Sequence, residues 1–419
     1  MIMLLDSIKK KAQGNHILLA NFSYISILQV FILITPLITY PYLTRVLGTE
    51  LYGLVITAQI LSGYATIVVK FGFDSVSARH VSIWREDNIK LSEIISSILV
   101  LRMMLWIISF VLYIAIVMAV PIYRQNFLLF LYSFGLTLNV LLFPQFFFQG
   151  IERMKIITLI NIGIQTVFIV LTFLVIKTPE DYLLVPILHA IGYFIGGFVS
   201  IIIIFKCYKL SFFIPCRKQI MFYLKDAFPL FATDAVCTIK DKLNYLLLGI
   251  FVNMGEVVVY DIGSKLTSLA VQPLTIISTV IFPRMAKNHN NLLFKKIGVL
   301  IFIAIVCIVV FLNVFLHPIV LLLIGKEVPL LPIRLFLLSP LFLGLSSYVG
   351  SCLIVARGYN KYMFYSIIVT TTVYILSLAI LFFTKQLNTV MSFIALTIIS
   401  YLVEMLYRMH IAYKILKKE

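Results

Sequence analysis

The sequence predicts an all-α membrane protein that crosses the bilayer many times, and three observations carry this prediction. Hydrophobic residues make up 62% of the 419 residues, and charged residues only 12%, about half the share that is usual in soluble proteins. The apolar residues gather in runs of about 20, the length that crosses a hydrocarbon core of about 30 Å. Short polar connectors separate these runs, whereas the alternating segments of about ten residues that are typical of a transmembrane β-barrel do not occur in the sequence.

We predict about twelve transmembrane helices from these runs. The first run follows a basic lead, residues 1–16, which carries three consecutive lysines and has no small-residue cleavage site after it. Such a lead is typical of a signal anchor or a plain first helix, and not of a cleaved signal peptide. The predicted spans are 17–43, 51–73, 92–119, 126–148, 156–176, 182–205, 227–251, 257–282, 293–316, 329–355, 362–384 and 388–407.

The positive charges follow the predicted topology. The net charge is +17, and with both termini in the cytoplasm the cytoplasmic segments and their flanks hold 23 of the 34 Lys and Arg residues. The outside connectors and their flanks hold six, and the remaining five lie within the spans. This asymmetry is the positive-inside rule, which fixes the orientation. The basic excess therefore indicates topology and a match to anionic lipid, and it does not indicate a nucleic-acid partner.

The first two spans form a hairpin whose second helix carries a polar stripe. Pro36 and Pro41 mark the end of the first run, and Gly48 lies in a connector too short for anything but a turn. Along the second run, polar or small residues recur every three or four positions, so they share one face of a helix. A spanning helix turns such a face away from lipid. The members of the stripe are Gln59, Ser62, Gly63, Thr66 and Lys70.

The third to sixth spans carry few polar signals. Arg102 lies about ten residues into the third span. At the end of the fourth span, Phe146–Phe148 point in all directions around a helix, and we expect these rings to anchor the helix at the membrane interface. Gly192, Gly196 and Gly197 in the sixth span suit close contact between helices.

The longest polar break divides the chain into two predicted lobes. It covers residues 206–226 and is read as a cytoplasmic linker. The predicted domains are the basic cytoplasmic lead 1–16, an N-terminal six-helix lobe 17–205, the linker 206–226, a C-terminal six-helix lobe 227–407 and a basic cytoplasmic tail 408–419.

An internal repeat supports the two lobes. Three landmarks recur at an offset of 208 residues: Tyr52 with Tyr260, Arg79 with Lys287, and Gly150 with Gly358. Because six is an even number of spans, both copies keep the same orientation, and a pseudo-two-fold axis along the membrane normal relates them. Two parallel lobes enclose a cavity at their interface, where transporters hold their substrate.

Charged residues within the spans form the candidate site, because each costs about 2.5–3.5 kcal/mol at the centre of a spanning helix. The cations are predicted to line a hydrated cavity that takes an anion such as a phosphate or pyrophosphate: Lys70, Arg102, Lys240, Lys242 and Lys265. Polar and acidic residues are predicted to line the same cavity or to couple transport to an ion: Gln59, Thr66, Asp74, Asp234, Asp241, Asn244, Asp261, Ser268 and Gln272.

Structural ion pairs are the alternative explanation of the same charges. Asp234 and Asp241 could neutralise Lys240 or Lys242, and three further pairs have the helical spacing of four residues. The extended polar stripes favour the cavity, because an isolated structural pair needs no stripe. The three pairs are Lys70 with Asp74, Asp261 with Lys265, and Glu404 with Arg408.

The sequence contains no pattern that indicates an enzyme or a metal site. The six histidines are dispersed, and His189 and His317, which lie in or near spans away from the cytoplasm, have no carboxylate or cysteine at ligand spacing. The five cysteines form no disulfide framework. A phosphate-binding Gly-Lys-Ser/Thr loop is absent from the sequence, so we expect no ATP-driven pump. The outer loops are short, whereas a membrane glycosyltransferase or polymerase usually places its acids and arginines in a larger one.

Five segments together resemble bacterial polysaccharide repeat-unit flippases. These are the Wzx-type transporters of O-antigen or capsule precursors, which belong to the multidrug/oligosaccharidyl-lipid/polysaccharide exporter superfamily. The resemblance covers nearly the whole chain, and its most specific part is the first hairpin. The segments are PYLTRVLGTELYGL from residue 41, FGFDSVSAR from 71, FFFQGIERMK from 146, LNYLLLGIFVNMGEVVVYDIGSKL from 243 and FPRMAK from 282.

The resemblance implies an undecaprenyl-pyrophosphate-linked oligosaccharide as cargo, moved by alternating access across the bacterial inner membrane. It also implies coupling to an H+ or Na+ gradient without a bound cofactor, and contact with membrane lipids and with the polysaccharide polymerase and chain-length machinery. Two alternatives stay open. One is a multidrug or cation antiporter of the same superfamily, which a cationic cavity fits poorly. The other is a membrane glycan polymerase or ligase.

Overall fold

The computed structural model describes residues 2–288 and 291–418, with their side chains except those of residues 2–19, 22, 280, 283, 288 and 418. The described residues form helices and short turns, without a strand among them. The α-helices are α1 Ile2–Lys70, α2 Phe73–Ile83, α3 Asn88–Ala119, α4 Pro121–Gln125, α5 Phe127–Phe134, α6 Leu138–Leu142, α7 Gln145–Gly150, α8 Met154–Val175, α9 Leu184–Ile202, α10 Arg217–Phe251, α11 Met254–Asn288, α12 Asn291–Val314, α13 Leu316–Ile324, α14 Leu330–Phe336, α15 Ser339–Val349, α16 Asn360–Phe383 and α17 Val390–Lys418.

Shorter helical turns of other types complete the path of the chain. Gly135–Thr137 and Pro179–Leu183 are 3₁₀ turns, and π turns end the sixth and tenth predicted spans at Ile203–Cys207 and Gly350–Val355. In the described part of the chain, nine segments are long and apolar enough to cross a membrane. The first of them, Ser23–Ile83, is 61 residues long, more than twice the length that one crossing needs. The all-α, multi-pass architecture is thereby confirmed, and the number of twelve crossings stays a prediction.

Gly48 divides α1 into two helices. Its φ of 77° and ψ of 164° lie outside the helical region, in a part of the backbone map that only glycine occupies readily. The interruption falls between the first two predicted spans, where the sequence indicated a turn.

A second break separates α1 from α2. Phe71 and Gly72 both have positive φ, of 43° and 71°. A Cβ on Gly72 would lie 2.9 Å from the carbonyl oxygen of Ala227 and 2.9 Å from the Cβ of Leu230, both on α10. The absence of a side chain at Gly72 therefore allows α10 to approach the chain closely at this break.

The helices pack as two units. One comprises Met1–Leu47 with Ala58–Ala235, and the other comprises Gly48–Thr57 with Val236–Glu419. α10 changes from the first unit to the second after Ala235. In the first unit the chain from Tyr208 to Pro215 is irregular, and the amides of Ser211 and Phe213 donate to hydroxyl groups on α3.

The core of the first unit includes three consecutive phenylalanines. Phe146, Phe147 and Phe148 are each 0% exposed, and they pack with Phe73 of α2 and other apolar residues. The expectation that these rings anchor a helix at the membrane interface is wrong. α7 is a short helix that packs against α2 and α8. Its three phenylalanines are buried in this packing, while Gln145 and Gln149 are exposed.

The core of the second unit centres on a stacked pair of rings. Phe294 of α12 and Tyr348 of α15 lie 5.0 Å apart, centroid to centroid, at an interplanar angle of 7°. The hydroxyl of Tyr348 donates to the carbonyl oxygen of Phe294 at 2.8 Å. The buried hydroxyl of Tyr348 is therefore hydrogen-bonded, because the backbone carbonyl of Phe294 lies in the same core.

Candidate functional site

Arg102 lies inside the first unit and contacts protein groups on several sides. Its guanidinium pairs with the carboxylate of Asp74 at 2.5 Å and donates to the carbonyl oxygen of Val140 at 2.7 Å. It also lies 5.2 Å from the centroid of the Phe146 ring. The residue is 0% exposed. A buried guanidinium held by a carboxylate and a carbonyl can fix the positions of α2, α3 and α6, and it presents no surface to a ligand in this conformation.

Lys70 ends α1 beside a different acid. Its ammonium lies 4.0 Å from the carboxylate of Asp234 on α10, and the two side chains are 42% and 50% exposed. This separation is the limit for an ion pair, and both groups remain open to solvent. Lys70 and Asp234 can therefore exchange a protein contact for a ligand at little cost.

The helical pairing of Lys70 with Asp74 is wrong, because Asp74 takes Arg102 instead. The i, i+4 geometry needs an unbroken helix. Here Phe71 and Gly72, with their positive φ, end α1 and begin α2 between the two residues. Because of the break, Asp74 lies next to Arg102 of α3, and Lys70 lies next to Asp234 of α10.

The polar stripe before Lys70 is only partly open. Gln59 and Thr66 are half-buried, and the hydroxyl of Thr66 donates to the carbonyl of Ser62. Ser62 itself is fully buried, 3.4 Å from the hydroxyl of Tyr113 on α3. Part of the stripe thus serves packing within the first unit, and its orientation away from lipid stays a prediction.

In the second unit, Lys265 pairs with Asp261 as the sequence predicted. The two side chains are 40% and 9% exposed, so the ammonium is open and the carboxylate is covered. The hydroxyl of Tyr245 donates to the other oxygen of Asp261 at 3.3 Å. Lys242 lies over the ring of Tyr245, with 5.3 Å between its ammonium and the ring centroid. Two cations and one carboxylate thus share a small region of α10 and α11, with a net positive charge.

Lys240 sits in a separate, buried network. Its ammonium lies 3.4 Å from the carboxylate of Asp241 and 3.6 Å from that of Glu404 on α17. Glu404 in turn pairs with Arg408 at 2.9 Å and accepts from the hydroxyl of Ser346. Lys240 and Arg408 therefore share the carboxylate of Glu404. This network joins α10, α15 and α17.

Asn244 is the centre of an adjoining hydrogen-bond cluster. Its amide nitrogen donates to the hydroxyls of Tyr260 and Thr397, each at 3.0 Å, and its carbonyl oxygen accepts from Tyr374 at 2.7 Å. Tyr260 and Thr397 are themselves 2.7 Å apart. These contacts join α10, α11, α16 and α17, and with Lys240 and Tyr401 they line a small polar pocket.

The remaining predicted residues of α11 lie toward the surface of the second unit. Ser268 is exposed and donates to the carbonyl of Ser264, and Gln272 is half-buried. Asp241 on α10 is 46% exposed, and its carboxylate pairs with the buried Lys240. The predicted residues thus divide into open charges, at Lys70, Asp234, Asp241 and Lys265, and enclosed ones, at Arg102 and Lys240.

Several contributors from α16 and α17 were missed as site residues. Glu404 and Arg408 were expected only to pair with each other, yet Glu404 also neutralises Lys240. The signal was present in the sequence, because Thr397, Tyr401, Glu404 and Arg408 follow one another at spacings of four, three and four residues. This is the same one-face periodicity that identified the stripe before Lys70.

Another charged cluster lies where α2 meets the start of α10. The carboxylate of Asp226 accepts from Arg79 at 3.0 Å and lies 3.0 Å from the imidazole Nε2 of His80. Burial raises the pKa of the neighbouring Tyr223 to about 12, with the negative charges of Glu93 and Asp226 adding to the effect. Tyr223 therefore keeps its proton at neutral pH. The described residues show no group of three potential metal ligands, and none of the five cysteines among them forms a disulfide.

Comparison with known proteins identifies relatives by sequence. A family model described as "Polysaccharide biosynthesis protein" matches residues 18–289. A protein of Shigella dysenteriae named "Putative O-antigen transporter" is 27% identical over 341 residues, which is 78% of this chain and 83% of the relative. A protein of Escherichia coli K12 with the same name is 22% identical over 269 residues, which is 64% of this chain and 65% of the relative.

Solved structures share the fold at low sequence identity. A multidrug resistance MATE family transporter of the MOP superfamily, in an inward-facing conformation, matches with a TM-score of 0.66 and 12% identity, over 91% of this chain and 96% of that one. A MATE protein in a bent conformation matches with a TM-score of 0.53 and 12% identity, over 92% of this chain and 98% of that one. At such identity the likeness concerns the fold alone.

Proposed function

The chain belongs to the polysaccharide biosynthesis protein family, and from this premise we propose that it flips a lipid-linked oligosaccharide repeat unit across the bacterial inner membrane. The cargo would be an undecaprenyl-pyrophosphate-linked precursor of O-antigen, capsule or exopolysaccharide. The relatives are named O-antigen transporters. The observation that carries the proposal is that two lysines within predicted spans, Lys70 and Lys265, are each about 40% exposed beside a carboxylate.

The chemistry of such a cargo accounts for these cations. Its pyrophosphate is a highly charged anion that has to leave water when it crosses the bilayer. Transfer of an unpaired anion from water into hydrocarbon costs many kcal/mol. Ammonium groups that are already partly solvated offer compensating charge and hydrogen bonds. Lys70 and Lys265 each have a carboxylate beside them, so the charge of these two lysines is balanced when no cargo is bound.

Transport would proceed by alternating access with both termini in the cytoplasm. Movement of an anion through the protein requires that the cationic groups face one side at a time. The open ion pairs, Lys70 with Asp234 and Lys265 with Asp261, can part at small cost since water screens them. The enclosed groups, Arg102 with Asp74 and Lys240 with Glu404, would hold each unit together during the movement.

The experiment is a deletion of the gene in its native bacterium. We expect surface polysaccharide to be lost and the lipid-linked repeat unit to accumulate on the cytoplasmic face of the inner membrane, with both defects reversed by the gene on a plasmid. Accumulation on the outer face, or export of single repeat units, would indicate a polymerase or ligase. Normal polysaccharide with a gain in sensitivity to organic cations would indicate a multidrug antiporter and contradict the proposal.

A further inference from the structure

A deep apolar groove runs between α8 and α9 on the first unit. It has a volume of about 410 Å³, and its lining is almost wholly apolar. It extends along α8 from Ile156 to Val167 and along α9 and the following turn from Gly192 to Ile203. Eleven residues of helix are about 16 Å long. This length is about half of the 30 Å hydrocarbon core, so the groove matches the depth of one leaflet.

Glycines produce the groove. Gly196 lies so close to α8 that a Cβ there would be 2.4 Å from the Cδ1 of Ile164, and this contact forms the floor. Gly163, on the opposite helix, is exposed, and a Cβ on it would meet no atom within 4 Å. The two helices touch at the bottom of the groove and leave empty space above it. Branched side chains such as Leu159 and Ile195, 57% and 50% exposed, form the rims.

Basic residues stand at one end of the groove only. Because α8 and α9 are antiparallel neighbours, the start of α8 and the end of α9 lie together, and Ile156 and Ile203 both line the groove there. Lys155 precedes Ile156 by one residue, and Lys206 follows Ile203 by three; both side chains are exposed. At the other end the lining stops at Val167 and Gly192, within apolar sequence.

We propose that this groove holds the polyprenyl chain of the lipid-linked cargo, with its phosphate between Lys155 and Lys206. This inference rests on the proposed function, which supplies a lipid with a long hydrocarbon chain and an anionic head. An apolar channel one leaflet deep with two lysines at its polar end is complementary to such a molecule in length, polarity and charge. The groove would hold the cargo in the cytoplasmic leaflet before its head enters the protein.

The experiment measures binding of a radiolabelled polyprenyl phosphate to the purified full chain in nanodiscs. Gly163→Phe directs a ring into the open groove, and we expect the affinity for the probe to fall by about tenfold, or 1.4 kcal/mol. Leu174→Phe is the matched control, since Leu174 lies on the same helix, outside the groove and 66% exposed. It should bind like the unmodified chain. Loss of binding in both variants, or in neither, would contradict the proposal that the groove holds the polyprenyl chain.

Two further measurements separate the cargo from other lipids and from a folding defect. A photoreactive residue at Leu159 should crosslink to the polyprenyl phosphate, and one at Leu174 should not, whether or not Gly163→Phe folds. A hundredfold excess of phosphatidylglycerol should leave the crosslink at Leu159 largely intact, and its disappearance would overturn the assignment to the cargo. Replacement of Lys155 and Lys206 by Gln should weaken binding of the phosphate and leave that of a polyprenyl alcohol unchanged.

This test and the test of the proposed function can fail independently. Binding and crosslinking need no transport, so they report on the groove even if the deletion strain exports polysaccharide normally. In that outcome the function is wrong and the lipid site stands. If the deletion strain loses polysaccharide while crosslinks at Leu159 and Leu174 are equal, the function stands and the groove is wrong.

Discussion

At the scale of residues, the exposed fraction of the side chain separates two kinds of charged residue within the predicted spans that look alike in the sequence. Lys265 and Arg102 are both single cations in apolar runs. The first keeps 40% of its side chain exposed, and the second is enclosed by Asp74, Val140 and Phe146. The periodicity of the sequence predicts which charges avoid lipid, and this stays a prediction. It could not predict which of them meet protein, because that depends on the partner helices.

Removal of the open pair in the second unit distinguishes cargo binding from structural pairing. In Lys265→Ala with Asp261→Ala no unpaired charge remains, so we expect the amount of protein in the membrane to stay close to normal. Surface polysaccharide should fall at least about tenfold, because the cationic group that meets the cargo is gone. Lys265→Arg should export more than Lys265→Ala, without full recovery, since the guanidinium differs in shape from the ammonium.

The control for that experiment is Asp261→Ala alone, which leaves Lys265 charged. Normal polysaccharide from the double variant would show that the pair is structural and would remove Lys265 from the proposed site.

The enclosed pair should respond to mutation in the opposite way. Arg102→Met leaves the carboxylate of Asp74 without its partner inside the first unit, and loss of one member of a buried pair costs about 3–5 kcal/mol. We expect little folded protein in the membrane. Arg102→Met with Asp74→Leu should recover much of it, because no charge is then stranded. Equal losses in the single and the double variant would mean that the guanidinium is needed for its other contacts, at Val140 and Phe146.

At the scale of elements, the helices were predictable and their interruptions only partly so. The break at Gly48 was indicated by its place between two apolar runs. The break at Phe71–Gly72 lies at the end of the second predicted span, 51–73, but the sequence did not indicate that the next helix begins at once at Phe73, and this decided the partners of Lys70 and Asp74. The sequence also did not indicate the positive φ at Phe71, whose ring stacks on Phe231 of α10 at 4.3 Å.

The break between α1 and α2 should be sensitive to a single methyl group. Gly72→Ala adds a Cβ 2.9 Å from the carbonyl of Ala227 at a φ of 71°, so both the contact and the backbone are strained. We expect a loss of about 1–3 kcal/mol, seen as a lower melting temperature of the purified protein. Gly63→Ala is the matched control, because Gly63 lies within the helix and its Cβ would meet nothing within 4 Å. Its stability should stay equal or rise by about 0.5–1 kcal/mol. Equal melting temperatures for both variants would contradict this account of Gly72.

At the scale of the whole molecule, composition and the length of the apolar runs were sufficient for the class of the protein. The resemblance to polysaccharide flippases is confirmed by the family model and the sequence relatives. The lobe boundaries and the repeat at 208 residues stay predictions. The two packed units divide the chain at Ala235, inside α10, and assign Gly48–Thr57 to the second unit. No local pattern could indicate such a division, because it depends on contacts between residues about 200 positions apart, such as the approach of Gly53 to Met254.

The orientation of the chain can be tested by labelling single cysteines. In a variant without the five native cysteines, new cysteines at Glu180, Glu327 and Asn388 should react with an impermeant thiol reagent added to whole cells, because these exposed residues lie in or directly beside connectors that the charge asymmetry places outside. Cysteines at Glu86 and Lys218, also exposed, should react only after the membrane is opened. Since all five positions are open to solvent, a difference between the two groups reports sidedness and not burial. The reverse pattern would place both termini outside, and with them Lys155 and Lys206, so the groove between α8 and α9 would lie in the outer leaflet and could not receive cargo from the cytoplasm.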